Sequence, residues 1–196
     1  QLMLTVTLGD ATNVPTPFGG GLLVPLKNGQ VTLVDTVTGA DRVQPFHPNV
    51  GAGTTTMWCP PAVVDGGKEF IIGDNSQRLY RVGVKPTPIP QLAELGSADT
   101  RGSIVGPLAT VASSVYGTTR SGGSDVVTCF KLPSLEMAKE TELADRVLWG
   151  PQRTGAVVLL GTATELICFD GGEDPRRNAP AEVAPGVGRP LRPRGQ

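Results

Sequence analysis

Few residues of this 196-residue chain are of a type that does chemistry, and their spacing argues against most of it. Cys59, Cys129 and Cys168 cannot all pair, and none stands in a C-x-x-C arrangement suited to zinc or thiol–disulfide exchange. They read as small hydrophobes. The sole histidine, His47, sits between Pro45 and Pro48 in a loop, without partners at a recognisable triad or zinc spacing, and reads as a surface residue. Asp74-Asn75-Ser76 matches a fragment of a calcium loop, but it lacks the spaced acidic ligands and terminal Glu and coincides with a hairpin turn. Gly171-Gly172-Glu173-Asp174 fails on the same grounds. Gly19-Gly20-Gly21 leads into a strand, so it cannot open a helix that cradles phosphate. No residue is assigned a catalytic, cofactor-binding or metal-binding role.

The elements that would position such residues are more informative. A unit of apolar strand, short polar or Gly-containing turn and second apolar strand recurs four times. Leu22-Leu23-Val24-Pro25 turns through Asn28-Gly29 into Val31-Thr32-Leu33-Val34-Asp35. Phe70-Ile71-Ile72-Gly73 turns through Asn75-Ser76 into Leu79 to Gly83, and Val115-Tyr116-Gly117 through Gly122-Gly123 into Val127 to Lys131. Val158-Leu159-Leu160-Gly161 turns through Ala163-Thr164 into Leu166 to Asp170. Val34, Val82, Phe130 and Phe169, central in the second strands, lie 48, 48 and 39 residues apart. Such periods hold four short antiparallel strands, the content of a propeller blade, whereas helical solenoids would show 3.6-residue spacing and few Gly or Pro.

Each unit has a lead-in rich in Pro and small residues: Val14-Pro15-Thr16-Pro17, Trp58-Cys59-Pro60-Pro61-Ala62, Gly106-Pro107-Leu108-Ala109 and Trp149-Gly150-Pro151. Proline is tolerated where a strand begins or runs along an edge, so these read as entries to the inner strand lining a central channel. Weakly alternating outer strands are expected at Arg42 to Phe46, Gln91 to Leu95 and Glu142 to Val147. Ser134 to Leu148 competes as a helix capped by Ser134, but its place in the repeat makes it an outer strand with its approach loop. The expected blades are residues 14–45, 58–95, 105–147 and 149–170 within a unit covering 1–170. Leu2 to Leu8 reads as a strand that either closes a four-bladed ring on the last blade or belongs to a preceding blade. Residues 171–196, with five Gly, five Pro and five Arg, read as a disordered tail.

Composition sets outer limits. With 39% hydrophobic and 18% charged residues, 26 Gly and 18 Pro, the chain suits a globular all-β protein with many tight turns. A net charge of −1 argues against nucleic acid as a partner. No stretch reaches the roughly 18 apolar residues of a membrane-spanning helix. Arg78, Arg81, Arg101, Arg120 and Arg153 read as ion-pairing residues, with a recognition surface as the sharper alternative. Arg81 stands where the other copies have Leu33, Cys129 and Cys168, so if that position faces a neighbouring blade its charge needs a partner.

The repeats resemble the pyrroloquinoline-quinone-like (PQQ-like) propeller family, whose unit is an apolar strand, a D/N-G turn, an apolar strand ending in Asp, then T-G. Residues 21–39 carry the match, with Asn28-Gly29 as the turn and Asp35-x-x-Thr38-Gly39 as the exit. The other copies depart from it, with Gly83 and Lys131 at the Asp position and no T-G after it. The resemblance implies seven or eight blades, which favours an open arc over a closed four-bladed ring, with self-association through exposed terminal blades, and a periplasmic or cell-envelope location. It also raises a quinoprotein dehydrogenase, with a quinone held by a vicinal cysteine pair and a tryptophan over calcium and carboxylates. No two cysteines are adjacent here, and Trp58 and Trp149 precede inner-strand entries, where packing between blades is expected. No cofactor is assigned. The expected function is a non-catalytic scaffold binding a protein or peptide, the alternative being a fragment of a quinoprotein oxidoreductase whose catalytic blades lie outside this chain.

Overall fold

Short strands that are apolar on both faces and joined by tight turns can bury themselves only by packing sheet on sheet, and the chain forms four such sheets. The computed structural model describes residues 10–48, 56–64, 66–86 and 88–170. Blade 1 holds β1 (Thr16–Phe18), β2 (Gly21–Pro25) and β3 (Val31–Asp35); blade 2 holds β4 (Ala62–Val63), β5 (Glu69–Gly73), β6 (Arg78–Lys85) and β7 (Gln91–Asp99). Blade 3 holds β8 (Ser103–Val111), β9 (Ser114–Ser121), β10 (Ser124–Lys131) and β11 (Glu136–Glu142); blade 4 holds β12 (Trp149–Thr154), β13 (Val157–Gly161) and β14 (Leu166–Asp170). Each sheet is antiparallel and runs in chain order from its inner strand outward. That is the order of propeller blades, and no described residue is helical.

The repeat aligns across the blades in register. Leu23 faces Leu33, Ile71 faces Arg81, Tyr116 faces Cys129 and Leu159 faces Cys168. These pairs define one face of each blade, called leading because in blades 1 to 3 it packs on the next blade. The trailing face packs on the blade before. Phe18 on the leading face of blade 1 meets Phe70 edge-on at 5.3 Å between ring centroids, and Tyr116 of blade 3 meets Phe169 of blade 4 at 5.9 Å. One apolar cluster joins blades 1, 2 and 3, and a second joins blades 3 and 4. Each fully buried Leu, Ile, Val or Phe in these seams contributes about 1.5–3 kcal/mol.

Two of the four blades have four strands and two have three; the departure from expectation is blade 1, whose outer strand is expected at Arg42 to Phe46. In blade 1 the outer segment is reduced to bridges, Asp41 to Val34 and Phe46 to Val31, and Gln44 leaves the sheet to pair in parallel with Gln91 of blade 2. In blade 3 the outer strand is Glu136–Glu142, earlier than the 142–147 expected. The reason lies in Asp125. Its carbonyl accepts the Leu143 amide, the last bond of the β10–β11 ladder, and its carboxylate accepts the Val147 amide, so beyond Leu143 the chain leaves the sheet edge for the crossing to blade 4. Blade 4 has no outer strand among the described residues, as the repeat anticipates. Leu2 to Leu8 and the 171–196 tail lie outside the described residues.

Candidate functional site

The inner strands position the candidate site. Proline interrupts ladder bonding, and in β8 the pairing with β9 slips between Val105 and Ala109, around Gly106 and Pro107. β12 slips likewise between Trp149 and Gln152, around Gly150 and Pro151. These irregularities turn β8 and β12 toward each other and toward β4. Between the three strands lies a groove of about 440 Å³ on the channel side. Ala62 and Val63 of β4, Pro107 to Thr110 of β8 and Trp149 to Arg153 of β12 line it. The lead-ins of blades 2, 3 and 4 therefore reach the channel as their proline content anticipates, although β8 begins earlier, at Ser103.

Hydrogen bonds between blades fix the groove's polar atoms. The Thr110 hydroxyl donates to the Val63 carbonyl at 2.8 Å, tying blade 3 to blade 2. The Thr110 carbonyl accepts from Arg153 Nη1 at 3.4 Å, tying blade 3 to blade 4, while Arg153 Nε donates to the Gly155 carbonyl at 3.0 Å. Apart from Arg153 the lining has no ionisable side chain. Trp149, 46% exposed, forms one wall and rests on Gly161, where any Cβ would overlap the indole. Such a groove offers an apolar floor, an aromatic wall and a few fixed polar atoms, which suits recognition; acid–base or nucleophilic work would need groups that the lining lacks.

The sequence-derived candidates fall elsewhere. His47 is exposed, its Nδ1 3.0 Å from the Pro48 carbonyl oxygen. Asp74 is the anchor of a hairpin turn, its carboxylate accepting the Ser76 and Arg78 amides and the Tyr80 hydroxyl. Asp35 does the same for the turn before Gly39: the Thr38 amide, and after it the Val37 amide, donates to its carboxylate and holds the carboxyl below the usual range. Cys59 and Cys129 are buried in different seams and Cys168 is exposed. Burial pushes the Cys59 thiol up to about 12, partly offset by the Gly73 amide that donates to its sulfur. Among the described residues no three His, Cys, Asp or Glu side chains gather as metal ligands.

The aromatic and cationic candidates divide. Trp58 packs between blades as expected, against Phe46 and Tyr80. Trp149 does not; it stands on the leading face of blade 4, half exposed, because no described blade follows it. Arg81 has the partner its position demands, Glu69 Oε2 at 3.0 Å, with Leu132 and Pro133 of blade 3 beside the pair. Arg120 pairs with Asp125 and Arg101 with Glu140. Residues that sequence reasoning missed are Thr110 and Gln152, whose access to the channel depends on the two register slips. A quinone with calcium does not fit the groove. Its lining supplies one tryptophan but neither a carboxylate to bind the ion nor a thiol pair to stack on the ring.

No family model matches the chain, and no curated protein does. Solved structures match it closely in fold. The chain is similar to BamB from Moraxella catarrhalis, with a TM-score of 0.62 and 15% identity over 83% of this chain and 46% of that one. It is similar to the β-propeller domain of Cps50 (Swd1) from Myceliophteria thermophila, with a TM-score of 0.61 and 14% identity over 80% of this chain and 52% of that one. It is also similar to the computationally designed Ika4 protein, with a TM-score of 0.63 and 13% identity over 88% and 99% of the two chains. The chain spans about half the length of the first two. At these identities the likeness establishes the fold, a β-propeller, with the described residues forming an open arc of four blades.

Proposed function

We propose that this β-propeller is a non-catalytic scaffold that binds a protein segment in the groove between β4, β8 and β12. The observation that carries the reading is the groove itself: about 440 Å³, apolar, walled by the half-exposed Trp149 and bordered by Gln152 and Arg153. Tryptophan is enriched among the residues that anchor binding hot spots, and Trp149 offers its half-exposed indole beside small residues. An extended peptide would place an apolar side chain against Trp149 and its backbone against the free edge of β12.

The finer family reading is a PQQ-like repeat protein, supported by residues 21–39, where Asp35 makes the turn bonds that the motif calls for. The same resemblance supports a periplasmic or cell-envelope location, which fractionation of the source cells checks. Self-association through a terminal blade belongs to the reading as well, supported by the bare leading face of blade 4.

The test is selection of peptides from a displayed random library on the immobilised chain, followed by anisotropy titration of the selected peptides. Trp149→Ala and Gln152→Ala are expected to weaken them about tenfold or more, while Lys139→Ala on the outer strand β11 leaves them unchanged. Peptides that bind all three variants equally would overturn the groove as the site.

A further inference from the structure

We propose that the segment bound in the groove is acidic, and that a glutamate side chain two positions from its apolar anchor enters a side pocket at Trp149 and pairs with Arg120. This rests on the scaffold reading above and names the chemistry of the partner.

The groove continues beyond Trp149. A pocket of about 200 Å³ opens there between the start of β8 and the crossing from blade 3 to blade 4. Pro107, Trp149 and Gly150 line both spaces, which makes them continuous. The inner strands meet through glycine at this point: a Cβ on Gly106 would stand 3.1 Å from the Gly150 carbonyl oxygen, and there is no side chain to close the passage. Alternate side chains of an extended segment point the same way, roughly 7 Å apart, which suits two neighbouring spaces that share one wall.

The pocket is apolar around a single charge. Val105, Val147 and Leu148 join Trp149 in its walls, with Leu148 69% exposed, and Arg120 is its one ionisable side chain. Arg120 spends Nε and Nη2 on Asp125, whose side chain is wholly buried. Its Nη1 has no partner among the described residues, and a third of the arginine side chain stays exposed. The charge open to the pocket is therefore the guanidinium. Nearby, exposed Arg146 adds to the lowering of the Asp125 carboxyl by Arg120, and Asp145 is turned to the Thr164 hydroxyl of blade 4. Arg153 lines the other end of the groove, so both ionisable side chains of the joined spaces are cationic and neither space has a carboxylate in its lining. Such a lining complements an acidic segment. One free nitrogen between apolar walls matches the methylenes and carboxylate of glutamate, whereas a phosphate calls for a cluster of donors.

Peptides selected on the immobilised chain as above supply the probe, each compared by anisotropy with its Glu→Gln and Glu→Lys forms. The selected sequences are expected to carry Glu two positions from an aliphatic or aromatic residue. Glu→Gln is expected to weaken binding about five- to tenfold and Glu→Lys further, with the gap narrowing as salt rises. In Arg120→Gln the Glu and Gln forms are expected to bind alike, at the level of the Gln form on the parent, while in Arg153→Ala the parent's ratio persists. Circular dichroism checks the fold of Arg120→Gln. Where that fold is lost, Arg120→Lys replaces it, since an ammonium held by Asp125 has no second arm for the peptide and the ratio is again expected to fall toward one. Peptides that depend on Trp149 but bind equally as Glu and Gln forms overturn the proposal and leave the scaffold reading standing. A Glu preference unchanged by the Arg120 variants overturns it too, as does a charge preference lost on amidating the peptide's C-terminus, which would assign the carboxylate to the chain end. If no selected peptide binds, both readings fall.

Discussion

The guanidinium of Arg120 grips the Asp125 carboxylate through two bonds, Nε to Oδ1 at 2.6 Å and Nη2 to Oδ2 at 2.7 Å. The aspartate side chain has no surface left to solvent, while the arginine keeps a third of its own. Because the same carboxylate accepts the Val147 amide at 2.9 Å, the pair also fixes the crossing from blade 3 to blade 4.

Arg120→Ala is therefore expected to cost about 3 kcal/mol, the low end for stranding a buried charge, because Arg120 is itself partly solvated. The pH dependence has a definite sign. Hydrogen bonding by Arg120 holds the Asp125 carboxyl below its ordinary value, so its contribution is complete above about pH 4 and is lost as the pH falls toward the folded value. Urea titrations between neutral and acid pH are expected to show a shallower acid loss in Asp125→Asn than in the parent. Identical slopes would assign the acid sensitivity to other carboxylates.

Arg81 and Glu69 form a second pair, 17% and 32% exposed, within the seam to blade 3. Removing the arginine alone, as Arg81→Leu, is expected to destabilise by about 1–2 kcal/mol, because Glu69 is left without its partner. The double variant Arg81→Leu with Glu69→Leu is expected to recover most of that loss, since Leu33 and Cys129 fill the same position in blades 1 and 3. A double-mutant cycle on unfolding free energies reads the coupling; additive losses would mean that the pair does not interact energetically.

Two glycines beside Trp149 are expected to differ. Gly150 has φ +84° and a Cβ there would lie 2.7 Å from the Leu159 carbonyl oxygen and 3.0 Å from Leu160 Cα, so Gly150→Ala strains backbone on both counts and costs about 2 kcal/mol. In Gly161→Ala the obstacle is the indole of Trp149, a half-exposed side chain that can swing away. Its melting temperature is expected to change little while tryptophan emission shifts to the red. Unchanged emission would show that Trp149 does not rest on Gly161.

Thiol chemistry follows burial. Cys59, its thiol raised to about 12, is expected to stay protonated and unreactive at pH 8, and Cys129 is sheltered in the seam between blades 3 and 4. One fast-reacting thiol per chain, Cys168, is expected in the native protein, with the others reacting after denaturant is added. Mass spectrometry of labelled peptides assigns the sites. Rapid labelling of Cys59 in the native chain would contradict its burial.

Much of the architecture is local in origin and was legible in the residues. Val31-Thr32-Leu33-Val34 and its three counterparts are short, largely apolar runs that recur every 39 to 48 residues, and turns such as Asn28-Gly29 can be placed without knowledge of distant contacts. The four hairpins, the proline-led inner strands and the missing outer strand of blade 4 follow from that periodicity. So does the need of Arg81 for a counter-charge, although Glu69, twelve residues away, is named by the register of β5 on β6.

What the tertiary structure decided depends on which sheet lies against which. Leu166 and Val31 are equivalent in sequence pattern and opposite in exposure, because a strand specifies that a face is apolar, whereas its cover comes from another sheet. The same holds for the outer strand of blade 3, which ends at Glu142 where the Asp125 carboxylate takes the Val147 amide for the crossing to blade 4, and for the groove, whose polar atoms reach the channel through slips at Gly106-Pro107 and Gly150-Pro151. The chain's own pattern determines the blades; the contacts between blades, which no local pattern encodes, determine the groove and the open face.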